Sequence, residues 1–507
     1  MPTLNWIGKE AVANHDKEVS FRLLRKVKAN STGENSQNLI IHGDNLEALK
    51  ALMPYYVGKI KCIYIDPPYN TGNEGWIYND KVNSPKIKRW IGKTVGNEAE
   101  DLSRHDKWLC MMYPRLKLLK DLLSEDGLIF VNIDDNEHCN LKQIMDEIFG
   151  EENFITTFIW KKKSTSTNVA GAQVSSLTDF IMCFGKTDGA KILPRIRLKE
   201  TRSYPLKDKE GKYRLTIIEK KNAGGYKRES MQFPILGIKP REGKRWQIGL
   251  EKARELERKK RFINEKGTIK LKIYNFEDKD TYSAQPNLLD NSGTTDNAAR
   301  LLTDIFGEQE IFSNPKPVEL IKHIVSITTA KDDLVLDSFA GSGTTGHAVL
   351  DLNKEDGGSR KFIMVEMEDN IAKDITAERM KRAIKKYNYK DGFEYCELDK
   401  PLFDEEGQIE KTCDFNQFAT YVYFTETQTN IDKKKIAGNF IGDHNDTQYY
   451  LIYKEKYQNI LDNAFLKKVK KDDNKKIIYA DKCMLDDTIM TEYNMQFKQI
   501  PYEVKVY

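Results

Sequence analysis

Short apolar runs alternate with amphipathic stretches along most of the chain. "NLIIHGDNLEALKAL" (38–52) opens on a strand of buried type and a Gly-Asp turn. Leu46, Leu49 and Leu52 then recur at helical spacing, and Asp44 stands where an N-cap is required. "IKCIYI" predicts the next strand, and "HDKWLCMMYPRLKLLKDLLSEDG" (105–127) predicts a long helix closed by Gly127. "LIFVNID" (128–134), "CNLKQIMDEIFG" and "NFITTFIW" (153–160) continue as strand, helix and strand. After about residue 310 the alternation returns, with a helix in "PVELIKHIVSITT", a strand in "DLVLDSF" and a helix opened by "AGSGTTGHAVLDL". A strand in "RKFIMVEME" and a helix in "DNIAKDITAERMKRAIKKY" complete it. This succession predicts an α/β fold with a parallel, doubly wound sheet.

Between Lys161 and about Asn287 the periodicity breaks. Stretches such as "KKKSTSTNVAGAQVSS" and "KNAGGYKRESMQFPILG" carry no repeat, and one charged helix is expected in "GLEKARELERKKRFINEKG" (249–267). One sheet is thus interrupted by an insert. From about Tyr395 a further α/β segment is expected, with strands at "TYVYFTET", "YYLIYK" and "KKIIYADK". The expected divisions are an arm (1–37), a first half-domain (38–160), the insert (161–287), a second half-domain (288–394) and an accessory α/β domain (395–507).

Charge changes this picture at one place. The 507 residues carry a net charge of only +4, yet residues 161–250 hold 21 Lys/Arg against 8 Asp/Glu. The insert is strongly basic and the remainder acidic, which points to a polyanion partner rather than a merely solvated lysine surface. No apolar run approaches the ~18 residues that cross a bilayer, so no membrane is expected. The start of the chain lacks a secretion signal, and the seven cysteines show no CxxC pairing, as in reduced cytoplasmic thiols. The seven histidines are dispersed as well, and no metal is expected.

"DSFAGSGTTG" (337–346) sets Gly341, Gly343 and Gly346 between a strand and a helix, the context that G-x-G-x-x-G requires. Glu366 ends the next strand, 20 residues after Gly346, where an acid can accept hydrogen bonds from ribose hydroxyls. An adenosine-containing cofactor follows. NAD and S-adenosylmethionine both satisfy that description. Asp337, placed to meet a ligand ammonium, and the late position of the turn favour S-adenosylmethionine. A P-loop is excluded, because no Gly-Lys-[Ser/Thr] follows the glycines.

"IYIDPPYNTG" (63–72) ends a strand on a carboxylate, two prolines and a tyrosine. An exocyclic base amine is a poor nucleophile, since its lone pair is delocalised into the ring. Two rigid acceptors can hold its N–H groups and draw the nitrogen toward tetrahedral geometry. Asp66 offers one and the carbonyl of Pro67 the other, stiffened by Pro68, while Tyr69 offers a face for an extruded base. Cys62 lies inside the strand, which does not support a cysteine nucleophile.

These residues resemble the amino-methylating DNA methyltransferases, adenine-N6 type, in the permuted β-class order. "DPPYN" (66–70) is similar to the catalytic motif, and "FAGSGTT" (339–345) to the S-adenosylmethionine motif, giving Phe339, Ala340, Gly341, Ser342, Gly343 and Thr344 as cofactor contacts. The resemblance implies a circularly permuted Rossmann-like methyltransferase sheet with a target-recognition insert. It further implies that Asn314 and Lys316 of "SNPKPVELIKHIV" hold the methionine end, and that Asp44 meets the adenine. "FIWKKKS" (158–164) is similar to the segment enclosing the target base, so Trp160, with Lys161, Lys162, Lys163 and Asn70, joins the DNA-facing set. The whole looks most like the Mod subunits of type III restriction–modification systems, to whose C-terminal segment "TYVYFTET" and "FKQIPYEV" are similar. That implies double-stranded DNA as substrate, with a homodimer and a helicase–nuclease Res subunit as partners. A cytosine-N4 enzyme, which more often has Ser at the position of Asp66, and a non-catalytic DNA-binding subunit stand as alternatives. RNA fits the basic insert nearly as well as DNA.

Overall fold

The computed structural model describes residues 3–33, 36–70, 102–166, 173–197, 202–222, 228–403, 409–454 and 458–500. The chain divides into two compact units, one running to Ile192 and resuming at Pro286, the other Leu193–Gln285.

The larger unit is built on a ten-stranded sheet. Its strands are β1 (Arg22–Lys26), β2 (Leu39–His42), β3 (Ile60–Ile65), β4 (Leu123–Ile133), β5 (Phe154–Lys161), β6 (Thr178–Gly185), β7 (Leu288–Leu289), β8 (Leu334–Asp337), β9 (Lys361–Glu366) and β10 (Glu394–Pro401). In space they run β1-β10-β2-β9-β8-β3-β4-β6-β5-β7. From β10 to β4 every neighbouring pair is parallel. β6 lies antiparallel between β4 and β5, and β1 closes the other edge antiparallel.

Strands so placed must be apolar on both faces, and β3 is: Ile63 and Ile65 join one core cluster, Cys62 and Tyr64 the other. The first cluster includes residues of helices α1 (Asn45–Tyr56), α2 (Leu102–Leu122) and α3 (His138–Phe149). The second includes those of α4 (Val318–Ser326), α5 (Thr344–Asp356) and α6 (Glu378–Tyr387). β8 leads into α5 and returns through β9 on one side, whereas β3 leads by way of α2 to β4 on the other. The carboxyl ends of β8 and β3 therefore stand together where the connections diverge, the crevice in which open α/β sheets bind ligands.

The structure departs from sequence expectation in four places. α2 ends at Leu122, and Gly127 lies within β4 instead of closing the helix. A Cβ on Gly127 would sit 2.8 Å from the Ile60 carbonyl, so the glycine permits close strand approach. The basic insert does not begin at Lys161: the apolar run "DFIMCFG" is spent on β6, and the separate unit starts at Leu193. "TYVYFTET", expected as a strand, lies in α7 (Phe415–Thr427). Asp414 and Gln417 form a capping box there, and Phe418, Tyr421, Val422 and Phe424 are buried. Propensity against helix costs a few tenths of a kcal/mol per residue, while burying each large side chain is worth about 1.5–3 kcal/mol, so packing decides. Lastly, the charged helix is only Leu250–Arg258, and Phe262–Glu265 pairs with Thr268–Tyr274 across a turn at Lys266 and Gly267.

The smaller unit contains a four-stranded antiparallel sheet and that helix around Ile218, Trp246, Phe262 and Ile269. Within the larger unit, α7 precedes a four-stranded sheet of Phe440–His444, Thr447–Leu451, Lys475–Ala480 and Met495–Gln499. Of "FKQIPYEV", residues 501–504 lie outside the described residues.

Candidate active site

Asp66 leaves the end of β3 into a turn braced on several sides. Its Oδ1 accepts from the Tyr69 hydroxyl at 2.8 Å and from the Asn132 side-chain amide at 3.2 Å. Asn132 also donates to the Tyr69 hydroxyl. Oδ2 accepts from the Lys316 ammonium at 2.5 Å. The indole N–H of Trp108 donates to the Pro68 carbonyl at 2.7 Å. Two prolines and a tethered carbonyl leave this turn little freedom, which suits a site that works by positioning.

Asn70, expected to face DNA, instead finishes the turn. It is fully buried in a left-handed conformation (φ 59°), and its amide donates to Glu137. Glu137 is itself fully buried, bound to His105 at 2.6 Å and Asn140 at 2.7 Å. Trp160 does border the site: it is 1% exposed, its N–H donates to the Gly293 carbonyl, and the Lys316 ammonium lies 5.9 Å from its ring. Lys162 pairs with the buried Asp179 at 2.6 Å and is not a free phosphate contact, while Lys161 and Lys163 are partly exposed. Burial pushes the Asp179 carboxyl up, opposed by Lys162 and Lys316. Cys62 is buried in β3, and burial pushes its thiol up to about 12.

The glycine turn follows β8. Gly341 and Gly343 have φ of 49° and 76°, the left-handed region that a side chain disfavours. A Cβ on Gly341 would lie 3.0 Å from the Phe312 ring, and one on Gly343 would lie 3.1 Å from Thr376 Cγ2. Gly346 lets α5 pack on β9, since a Cβ there would meet Met364 at 2.7 Å. Glu366 accepts from the N–H groups of Gly341 (2.8 Å), Met367 (2.9 Å) and Glu368 (3.1 Å), and burial pushes its carboxyl up. The turn and the acid at the end of β9 are thus one unit.

Several expected cofactor contacts also have partners within the chain. Phe339 and Ala340 are each 6% exposed and belong to the two core clusters. Ser342 and Thr344 are gripped from below by the buried Arg379, at 3.0 and 2.9 Å. Asn314, left-handed and exposed, lines a cavity of about 410 Å³ with Phe312. Lys316 reaches Asp66 with its ammonium, while its carbonyl accepts from Thr344 Oγ1 at 3.1 Å. Asp44 caps α1 by accepting from Leu46 and Glu47 N–H, and it pairs with Arg115 at 3.4 Å. Beside it opens a cavity of about 850 Å³ lined by His42, Met367, Leu398 and the arm's His15 and Arg22.

Asp337, expected to meet a ligand ammonium, is engaged by its own turn. It is 3% exposed, and its two oxygens accept from Phe339 N–H (3.0 Å) and the Thr345 hydroxyl (2.5 Å), holding the turn closed. Burial pushes its carboxyl up to about 7, against those hydrogen bonds. An unfolded aspartate titrates near 3.8, so between about 4 and 7 the native protein keeps a proton that the unfolded chain has released. This group's contribution to stability therefore falls as pH rises through that window. Thermal melts of Asp337→Asn are expected to gain several degrees on the parent between about pH 4 and pH 7, the window set by the shift. A difference independent of pH would refute the assignment.

Sequence reasoning missed Asn132, Asp179, Trp108, Glu137 and Arg379. Two of these carried a signal. Asn132 is the lone amide in the apolar run "LIFVNI" at the carboxyl end of β4, and Asp179 starts an antiparallel strand, which puts it at the same edge.

A family model described as DNA methylase matches residues 60–378. The StyLTI Mod subunit of a type III restriction–modification enzyme of Salmonella typhimurium is 34% identical over 74% of this chain and 60% of that protein. The EcoP15I Mod subunit of Escherichia coli is 30% identical over 84% of this chain and 75% of that protein. The type II methyltransferase M.KpnI of Klebsiella pneumoniae is 33% identical, covering 67% and 83%. This chain thus spans between three-fifths and three-quarters of those two Mod subunits. Among solved structures, the PvuII DNA methyltransferase (cytosine-N4-specific) aligns at 16% identity over 70% of this chain and 92% of that one, with a TM-score of 0.37.

Proposed function

This chain belongs to the DNA methylase family, and from that footing we propose that it transfers a methyl group from S-adenosylmethionine to the N6 amine of adenine in duplex DNA. Its system-level role is that of the modification subunit of a type III restriction–modification system, the reading favoured by its Mod relatives. The observation that carries the chemistry is the adjacency of two turns. Asp66-Pro67-Pro68-Tyr69 and the glycine turn leave the carboxyl ends of β3 and β8, which are paired in the sheet.

The residues at the glycine turn fit S-adenosylmethionine. Gly341 and Gly343 leave a cradle that a Cβ would fill, and Ser338 Oγ is buried with no hydrogen-bond partner among the described residues. Glu366, Ser338 and the turn at 341–343 would hold the cofactor, with Asp44 toward its adenine. When bound, it supplies a methyl group on a positively charged sulfur.

The chain's own part is to prepare the amine. Asp66 Oδ2 and the Pro67 carbonyl accept the two N–H groups and localise the lone pair on nitrogen. Tyr69 and Trp160 flank the base, Asn132 holds the Asp66 carboxylate, and Trp108 braces the turn through the Pro68 carbonyl. An N6 amine inside a duplex cannot reach such a turn, so the adenine is extruded. The unit Leu193–Gln285, with 26 Lys/Arg against 13 Asp/Glu and an exposed Phe276 and Tyr282, grips the DNA backbone and reads base edges. A Res subunit and a second copy of this chain are the partners that this reading entails. Its setting is the cytoplasm, and among the described residues no helix is long and apolar enough to cross a membrane.

Single-molecule sequencing of DNA from cells expressing this chain tests the proposal. N6-methyladenine confined to one sequence motif is expected. N4-methylcytosine, or unmodified DNA, would overturn it.

A further inference from the structure

The acceptor that the proposed reaction needs is already engaged by a cation from this chain. Tyr69 and Asn132 hold Asp66 Oδ1, which fixes the carboxylate and turns Oδ2 toward the site. On Oδ2 sits the Lys316 ammonium at 2.5 Å, 5.3 Å from the Tyr69 ring and 5.9 Å from the Trp160 ring. A carboxylate acceptor with two aromatic rings close by is what a planar base carrying an amine would need, and here an ammonium takes that place. The Lys316 side chain is only 10% exposed, so the charge is well shielded from water.

The surroundings allow the ammonium to leave without unfolding the site. The Lys316 backbone is anchored, because its carbonyl accepts from Thr344 Oγ1 at 3.1 Å and prolines stand on either side at 315 and 317. Only the flexible four-carbon stem has to move. The nearby acid Asp179 is already paired with Lys162 at 2.6 Å, so Asp66 is the carboxylate that holds Lys316 here.

We propose that Lys316 is a displaceable occupant of the target-amine subsite, competing with the incoming amine for Asp66 Oδ2. This deepens the methyltransferase reading and rests on it. A base with an N6 amine docks only by expelling the ammonium, whereas a purine lacking that amine leaves the space to Lys316. In the parent protein the amine therefore adds little net affinity, because it replaces a charge-assisted bond already made.

The test uses the full-length protein without cofactor and two duplexes, carrying adenine or amine-free purine at the motif position that sequencing identifies. Binding is read by fluorescence anisotropy. The parent is expected to favour adenine by no more than about threefold, and Lys316→Met to widen that preference by roughly tenfold, the scale of one hydrogen bond to a charged group. Lys316→Gln should widen it likewise, and Lys316→Arg should keep the parent ratio. An unchanged ratio in both neutral variants, with their melting temperatures preserved, would overturn the proposal. If the parent methylates no duplex at all, the reading of function fails instead, so the two failures are told apart.

Discussion

Asp66→Ala is expected to lower methyl transfer by about three orders of magnitude while cofactor affinity changes by no more than a few-fold. The first half follows from what the carboxylate does. Its Oδ2 is the proposed acceptor, and Oδ1 ties Tyr69 and Asn132 into one frame, so truncation removes both the acceptor and the frame. The second half follows from what Asp66 does not touch. The glycine turn is braced by Glu366, Thr376 and Arg379, none of which bonds to Asp66. Initial rates with tritium-labelled S-adenosylmethionine and equilibrium dialysis of the same label measure the two quantities. Alanine also strips Lys316 of its ion partner, so Asp66→Asn serves as the shape-preserving control and should lose activity on the same scale. Turnover within about tenfold of the parent would remove Asp66 from the role given to it.

Gly343→Val is expected to weaken cofactor binding by about a hundredfold or more and to lower the melting temperature by several degrees. At φ 76° a β-branched residue is strained by about 1–3 kcal/mol before any contact is counted. The added Cβ would also lie 3.1 Å from Thr376 Cγ2 and 3.3 Å from the Thr376 carbonyl, and backbone cannot swing aside as a side-chain tip can. Thr376 in turn donates to the Gly341 carbonyl at 2.6 Å, so displacing it opens the neighbouring glycine too. Isothermal titration with S-adenosylmethionine and a thermal melt read both effects. Gly358→Ala, in the turn just before β9, is a control whose added methyl meets only side-chain ends. Unimpaired binding by Gly343→Val would mean that the turn is not the cofactor cradle.

Local rules carried much of the fold. Asp44 caps α1 as its spacing requires, and the strands around the glycine turn and around Asp66 fall where their apolar runs end. "TYVYFTET" misled for a physical reason: aromatic and β-branched residues favour strands only when a sheet is there to receive them. The capping box at Asp414 and Gln417 was the better local signal. Asp337 is a different case, since a strand-end acid can point outward or fold back onto its own turn. Thr345, in the first turn of α5, takes it inward.

From its sequence alone this chain reveals an interrupted α/β sheet, a glycine turn in the right context and a stiff acidic turn at a strand end. Each of these is written within some ten consecutive residues. Tertiary structure alone sets β8 against β3, brings Lys316 across 250 positions to Asp66, and supplies Asn132 and Asp179 from two further strands. Hydrophobic periodicity states which side chains turn inward and leaves open which strand lies alongside. A site assembled from four strand ends is therefore decided only when the sheet closes in its final order.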